Sequence, residues 1–393
     1  MKPGGRDPEA TTERIRDAAV DELLAVGQAV FAMEGVAKRA FFSIGTVYNR
    51  WPDRESLLAD IARERIAPSI DRGLGSVGTH ESAIDWVLGA GQEAMLLAGE
   101  SILAGHTMPE VAPASLDTWR SLHMGLGQHL PPSMTWYVAT YAIGNALLEA
   151  IGCSGPQPPT GRVRWLADAG ASAQGSAWGE RVRIDGVEVP MVPAPRAGDD
   201  VAQALIEAAQ VLLAEQGASG TSTRDIAASA GVTTGSLYRR YGGKSELLAD
   251  VMLAQLQPDR YAWTWELVRA LAGADPLTGA AGVLADRMIT TAQDAPAQRV
   301  LLQVGIAARN DPVLRAQVSE RIQAAHRARV AMVERFAEAG LLREDVIPEV
   351  LAWGFQTIPV GVRALLPLGV PLHPDPVRES MEALLRAAAP PSP

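Results

Sequence analysis

Thr233, Thr234 and Ser236 set three small hydroxyls at the start of a short helix, and Tyr238, Arg239, Arg240 and Lys244 follow closely. Small polar side chains in this arrangement suit base edges in a DNA major groove, where a threonine methyl also meets a thymine methyl. Gly235 lets the backbone come close. A phenol, arginines, a lysine and the amides of helix starts hold phosphate oxygens. Thr223, opening the preceding helix, joins this set. The competing reading is a surface helix with solvated arginines and a core tyrosine.

The same pattern occurs 190 positions earlier, where Ser43, Ile44, Thr46, Tyr48, Asn49, Arg50 and Arg54 take the equivalent places. The offset holds without a gap from Thr12–Ile61 to Ala202–Val251, with Ala18/Ala208, Gly27/Gly217, Ala37/Ala227, Gly45/Gly235, Tyr48/Tyr238 and Arg50/Arg240 identical. A period this long is a duplicated domain rather than a solenoid repeat. The echo continues more faintly downstream: Ile102 to His106 align with Gly305 to Arg309 at an offset of 203, and Ile143-Gly144 align with Val360-Gly361 at 217.

Enzyme chemistry finds little support. The chain has no Cys/His/Asp metal cluster, no phosphate-binding glycine loop and no His-Glu-x-x-His string, so neither metal nor cofactor is expected. His123 and His129 stand six apart, which is not one helical face. Polar groups embedded in apolar helices are instead candidate contacts for a small, largely apolar effector. They are His106, His123, Trp136, Tyr137, Tyr141 and Asn145 in the first half, and Gln303, Arg309, His326, Trp353, Gln356 and Arg363 in the second. Satisfied core or surface positions are the alternative for each.

Around these residues the chain reads as all-α. Apolar periodicity runs over Arg14–Val26 and Val201–Gln216, and each run stops at a glycine suited to a helix end. Thr221-Ser222-Thr223 offers an N-cap, Gly231-Val232 a turn, Thr233 or Thr234 another cap, and Gly242-Gly243 a second break. The result is a helix-turn-helix with a supporting helix. Longer amphipathic helices are predicted over Ser82–Leu97, Leu116–Leu130, Thr135–Ile151, Leu277–Thr291, Gln298–Ala308, Pro312–Ala339 and Pro348–Leu366. Arg181 to Val189 alternates around an Asp-Gly, a hairpin signal within a linker.

At 393 residues the chain is too long for one core. Aromatics make up 5% and the net charge is −10, so nonspecific attraction to phosphates is weak unless basic groups gather locally. A single cysteine, Cys153, excludes an internal disulfide, and no signal or membrane-length apolar run occurs. The expectation is a soluble cytoplasmic protein.

Thr221 to Asp250 resembles the DNA-binding domain of the tetracycline-repressor (TetR) family of bacterial transcription regulators. The matching string is Ser222-Thr223-Arg224-Asp225-Ile226-Ala227, Ala230-Gly231-Val232, Gly235-Ser236-Leu237-Tyr238, Lys244 and Leu247-Leu248. Phe31 to Asp60 is similar, through Met33 to Ala40 and Gly45-Thr46-Val47-Tyr48-Asn49-Arg50-Trp51-Pro52. The resemblance implies two tandem units, each an N-terminal helix-turn-helix domain followed by a C-terminal helical ligand-binding bundle. It implies repression of operator double-stranded DNA, relieved by a small molecule. The expected divisions are a divergent helix-turn-helix domain at 9–66, a helical regulatory domain at 67–178, a linker at 179–198, a second helix-turn-helix domain at 199–256 and a second bundle at 257–390. The helices Ile143–Gly152 and Val360–Gly369 resemble the family's dimer-forming helices. They predict an intramolecular pseudo-dimer, and further homodimerisation is compatible with it.

The first unit departs where Phe41-Phe42 replaces Gly231-Val232, where Ile44 replaces Thr234 and where Arg54 replaces Lys244. If position 41 needs left-handed geometry, a non-glycine residue costs about 1–2 kcal/mol there. Two unlike half-sites, hence an asymmetric operator, are expected. The alternatives are a first unit that no longer binds DNA, or a protein-interaction or ligand-sensing module in which one or both units have lost that function.

Overall fold

The computed structural model describes residues 7–155, 199–255 and 262–390, and every regular element among them is helical. The hairpin expected at Arg181 to Val189 lies outside the described residues, as does the whole of the expected linker at 179–198.

The first half begins with α1 (Pro8–Val26), whose N-terminus is fixed by Asp7, with its carboxylate accepting the Glu9 N–H, and by a proline at the first turn. Gly27, at φ 71°, ends it. α2 (Met33–Ala40) and α3 (Ile44–Tyr48) form the helix-turn-helix, and Ser43 caps α3 by accepting the Thr46 N–H. α4 (Arg54–Ile61) starts at a reciprocal cap between Asp53 and Ser56. It continues through a π turn into α5 (Ala67–Gly75). α6 (His80–Asp85), α7 (Gln92–Gly105), α8 (Ala112–Gly127) and α9 (Pro132–Ala150) complete this half. The single helix expected over Ser82–Leu97 is therefore two, because a π turn at Trp86–Ala90 and Gly91 interrupt it.

The second half repeats the opening order: α10 (Asp200–Gly220), kinked at Gly217, then α11 (Thr223–Ser229), α12 (Thr234–Arg240) and α13 (Lys244–Gln255). Ser222 and Asp225 cap α11 reciprocally, and Thr233 caps α12. α14 (Ala262–Leu271), α15 (Pro276–Gln293), α16 (Ala295–Asn310), α17 (Pro312–Glu338), α18 (Pro348–Leu365) and α19 (Pro374–Ala388) follow. The caps of α3, α4, α11 and α12 are those the residue types favour, so these short helices are locally specified, whereas α2 starts at Ala32 without a side-chain cap.

The turn between α2 and α3 settles the question raised by Phe41. Its backbone is left-handed, φ 58° and ψ 40°, and it is the one non-glycine residue at positive φ among the described residues. Gly231 occupies the equivalent turn at φ 68°. The geometry is kept while the residue suited to it is not.

α9 and α18 share the most extensive helix–helix packing in the molecule, and α19 also lies on α9. Gly144 and Gly361 make the approach possible. A Cβ on Gly144 would collide with the Thr357 carbonyl, and one on Gly361 with the Thr140 carbonyl. Trp353 Nε1 donates to Asn145 across the same seam, at 2.7 Å.

Candidate nucleic-acid interface

α12 presents its polar residues outward from a buried Leu237. Thr233 accepts the Ser236 N–H at 3.1 Å, and Arg239 donates to the Ser236 hydroxyl at 2.9 Å. Tyr238 is 52% exposed, and its hydroxyl lies 3.2 Å from that of Thr223 on α11. Thr223, Thr233, Thr234, Gly235, Ser236, Tyr238 and Arg239 are thus gathered on one accessible surface built from α11, the turn and α12.

Two expected phosphate contacts are placed otherwise. Arg240 donates through Nε to Asp199 at the start of α10, and that guanidinium holds the Asp199 carboxyl below the usual carboxylate range. Lys244 donates to the Ala218 carbonyl at 2.5 Å, and burial lowers its ammonium pKa against the opposing pull of Asp311. Both charges fasten the supporting helices rather than standing free at the surface.

The first half has the same helix order, α1 to α4, with a different face. Arg50 donates to Thr12 and to the Thr46 carbonyl, so it too braces the fold. Ser43, Thr46, Tyr48 and Asn49 lie along the exposed or half-buried side of α3, with Arg54 half-buried at the start of α4. Ile44 is 38% exposed and Phe41 87% exposed, so an apolar surface stands beside the hydroxyls. Phe42 instead turns inward, under the Arg14 guanidinium at 4.7 Å.

The candidate effector contacts do not converge on one site. Gln303 accepts the Ala218 N–H at 3.0 Å, just past the kink at Gly217. His106 bonds the Ala364 carbonyl at 2.6 Å, and His123 stacks at a tilt on Trp119. Tyr137 and Tyr141 stack on each other in the α9 core, where burial raises both phenol pKa values. Trp136 is half-buried beside them on α9. His326 meets Trp353 edge-on at 4.9 Å, and burial, reinforced by Arg329, pushes its pKa down to about 4. Arg309 and Gln356, with Arg363, do line a cavity, of about 100 Å³, between the two halves.

One buried residue that ties the helices of the first half together escaped the sequence reading. Glu100 is 1% exposed and accepts the Gln28 N–H at 2.8 Å, just past Gly27. Gln303 does the same for Ala218 in the second half, 203 positions later. In each half, therefore, a side chain of a later helix grips the end of the helix that precedes the helix-turn-helix. A lone carboxylate in the otherwise uncharged run Met95 to His106 was the available signal.

Residues 205–251 match the family of bacterial regulatory proteins of the tetR type. This stretch is similar to the matched domain of tetR-family regulators. It contains the whole of α11, α12 and the turn between them. The chain is 41% identical over 58 residues to a helix-turn-helix transcriptional repressor of Mycobacterium tuberculosis, covering 15% of this chain and 31% of that protein. The same values hold for a helix-turn-helix transcriptional regulator of Mycobacterium bovis. The chain thus spans about a third of the length of these curated relatives. Among solved structures it is similar to NalD, the secondary repressor of the MexAB-OprM multidrug efflux pump in Pseudomonas aeruginosa, at 20% identity, 48% coverage of this chain, 96% of that chain and a TM-score of 0.37. It is also similar to SmeT in complex with triclosan, at 24% identity, 39% and 74% coverage and a TM-score of 0.30. The TetR family and the matched relatives are transcriptional regulators, not enzymes. No helix among the described residues is long and apolar enough to cross a membrane.

Proposed function

We propose that the chain is a ligand-responsive transcriptional repressor carrying two TetR-like units, which act together on an operator as an intramolecular pseudo-dimer. The observation that carries this reading is the accessible polar face of α11 and α12, lying inside the stretch that matches the TetR family. Support for pairing of the units comes from the packing of α9 on α18, where Gly144 and Gly361 permit backbone contact. The apolar cavity between the halves supports an effector that is small and mostly apolar.

Base contacts fall to Thr233, Thr234 and Ser236, and phosphate contacts to Thr223, Tyr238 and Arg239, with the backbone at Gly235 close to the groove. The first unit reads through Ser43, Thr46, Tyr48 and Asn49, with Ile44 meeting apolar base surface such as a thymine methyl and Arg54 near the backbone. Lys244, Arg240 and Arg50 serve by holding the helices that present these groups. Because the two faces differ, the operator has two unlike half-sites.

A second reading is favoured by one observation, the exposure of Phe41 beside Ile44. On that reading the first unit binds a protein surface instead of DNA, and only the second reads an operator. Sequencing DNA fragments selected by the purified chain, followed by fluorescence anisotropy, tests both. The expected result is a bipartite, non-palindromic site, with Tyr238→Ala combined with Arg239→Ala weakening binding about tenfold or more. A perfect palindrome contradicts the asymmetric pair. Unchanged affinity in the double variant overturns DNA reading by α12, and a single half-site supports the second reading.

A further inference from the structure

Arg309 on α16 spreads its donors over three helices of the other half. Its Nε lies 2.6 Å from Glu100 on α7, and the guanidinium also donates to the Leu24 carbonyl at 2.9 Å and the Ala150 carbonyl at 3.3 Å. Those carbonyls belong to the last turns of α1 and α9, helix ends that favour a cation. Gly27 belongs to the same contact, because a Cβ on it would collide with the Arg309 side chain. Six positions earlier on α16, Gln303 accepts the Ala218 N–H, and a Cβ on Gly217 would press on Gln303. Six residues turn an α-helix by about 240°, so the two side chains leave α16 in different directions. One helix therefore touches the glycine that ends the first helix of each half.

The arrangement is not returned by the other half. At the offset of 203, His106 stands for Arg309. Its Nε2 bonds the Ala364 carbonyl in the last turn of α18, as Arg309 bonds the end of α9. The imidazole reaches no second helix end: its Nδ1 has no hydrogen-bond partner among the described residues. The α1 helix otherwise packs chiefly on α2, α4 and α7, all of its own half.

We propose that Arg309 is a positioning residue, which locks the first helix-turn-helix at one separation from the second so that the chain engages two half-sites at a single spacing. This deepens the repressor reading and rests on it for the effect on DNA, not for the lock. A guanidinium holds several acceptors in one planar fork, whereas a lysine ammonium keeps the charge beside Glu100 as a compact point. Two linked readers reinforce each other only when both sites are reachable together. One added base pair moves a half-site by about 3.4 Å and turns it by about 34°, which a fixed pair cannot follow.

Double electron–electron resonance on the full chain, spin-labelled at Glu34→Cys and Arg224→Cys, reads the separation without DNA. Both positions are exposed and equivalent at the offset of 190, and the native Cys153 is buried. The otherwise unaltered chain is expected to give one narrow distance, and Arg309→Lys a distribution about twice as wide or wider. His106→Gln is expected to leave the width unchanged. If Arg309→Lys does not fold, as judged by its thermal transition, Arg309→Met with Glu100→Leu carries the test, since it removes the lock without leaving a buried charge unpaired. On the selected operator, fluorescence anisotropy is expected to show a loss of about tenfold or more on insertion of one base pair between half-sites, reduced to about threefold or less in the Arg309 variants. A broad distance in the unaltered chain, a width indifferent to the Arg309 variants, or equal broadening by His106→Gln overturns the lock. If the widths respond as expected while the chain selects no DNA, the lock stands and the repressor reading falls. If a two-part operator is selected and the Arg309 variants keep the full spacing penalty, the repressor reading stands and the lock falls.

Discussion

Arg309 and Glu100 form an ion pair at 2.6 Å between halves of the chain that are separated by more than 200 residues, with the Arg309 side chain 14% exposed and that of Glu100 1% exposed. Removing one partner leaves the other charge buried and uncompensated, at a cost of about 3–5 kcal/mol. Arg309→Met is therefore expected to lower the urea midpoint sharply. The double variant Arg309→Met with Glu100→Leu is expected to recover much of the loss, since an apolar pair of similar volume is often tolerated in place of a buried ion pair. A double variant no better than Arg309→Met would show that the contacts to the Leu24 and Ala150 carbonyls, rather than the charge pair, carry the stability.

His326 supplies a pH dependence. Its pKa is lowered from 6.5 to about 4, first by burial and then by the nearby Arg329, with Glu349 opposing. The unfolded chain thus takes up a proton that the folded chain refuses between these values. Stability present above pH 6.5 is lost as the pH falls toward 4. Urea titrations from pH 7 to pH 4 are expected to show a shallower decline for His326→Gln than for the wild type. Parallel declines would mean that the edge-on packing against Trp353 persists with a charged imidazolium.

Phe41 holds a left-handed backbone at 87% exposure, so its ring gains little from packing while its conformation carries strain. Phe41→Gly is expected to stabilise the chain by about 0.5–1 kcal/mol, the relieved strain exceeding the extra entropy of glycine in the unfolded state. The reverse change, Gly231→Phe, is expected to cost about 1–2 kcal/mol. Thermal melts check both. If Phe41→Gly instead lowers affinity for the selected DNA without altering stability, the exposed ring is itself a contact.

The helix-turn-helix parts were legible because they are specified locally. Ser222, Thr233, Gly231 and the glycine after each first helix carry caps and turns in their own chemistry, and those elements fall where the residue types put them. Helices that depend on tertiary packing were harder to read. α19, which begins Pro374-Asp375-Pro376, was not among the expected helices, yet Val377, Met381, Leu384 and Leu385 bury one face of it. The surroundings of the candidate effector residues were least legible. Polar residues in apolar helices look alike in sequence whether they face a ligand or one another. Asn145 and Trp353 find each other across 208 positions, and only the packing of α9 on α18 shows it. Glu100 was overlooked because its role, gripping Gln28, depends on how the bundle sits against α1.

The α9 and α18 seam yields the last prediction. Gly144 and Gly361 face backbone carbonyls of the opposite helix, Thr357 and Thr140, and a carbonyl on a packed helix cannot move aside as a side-chain tip can. Any Cβ there forces the helices apart and empties the contacts around Trp353. Gly144→Val or Gly361→Val is expected to destabilise by about 3 kcal/mol or more, at the upper end of overpacking costs. Gly282 in α15 serves as the control, because a Cβ there meets nothing within 4 Å. Gly282→Ala is expected to stabilise by about 0.5–1 kcal/mol, as the gain in helix propensity is uncompensated by any clash. Comparing the three by thermal denaturation separates the seam from a general sensitivity of helical glycines. If the seam variants melt with the control, α9 and α18 are not held at backbone distance in solution.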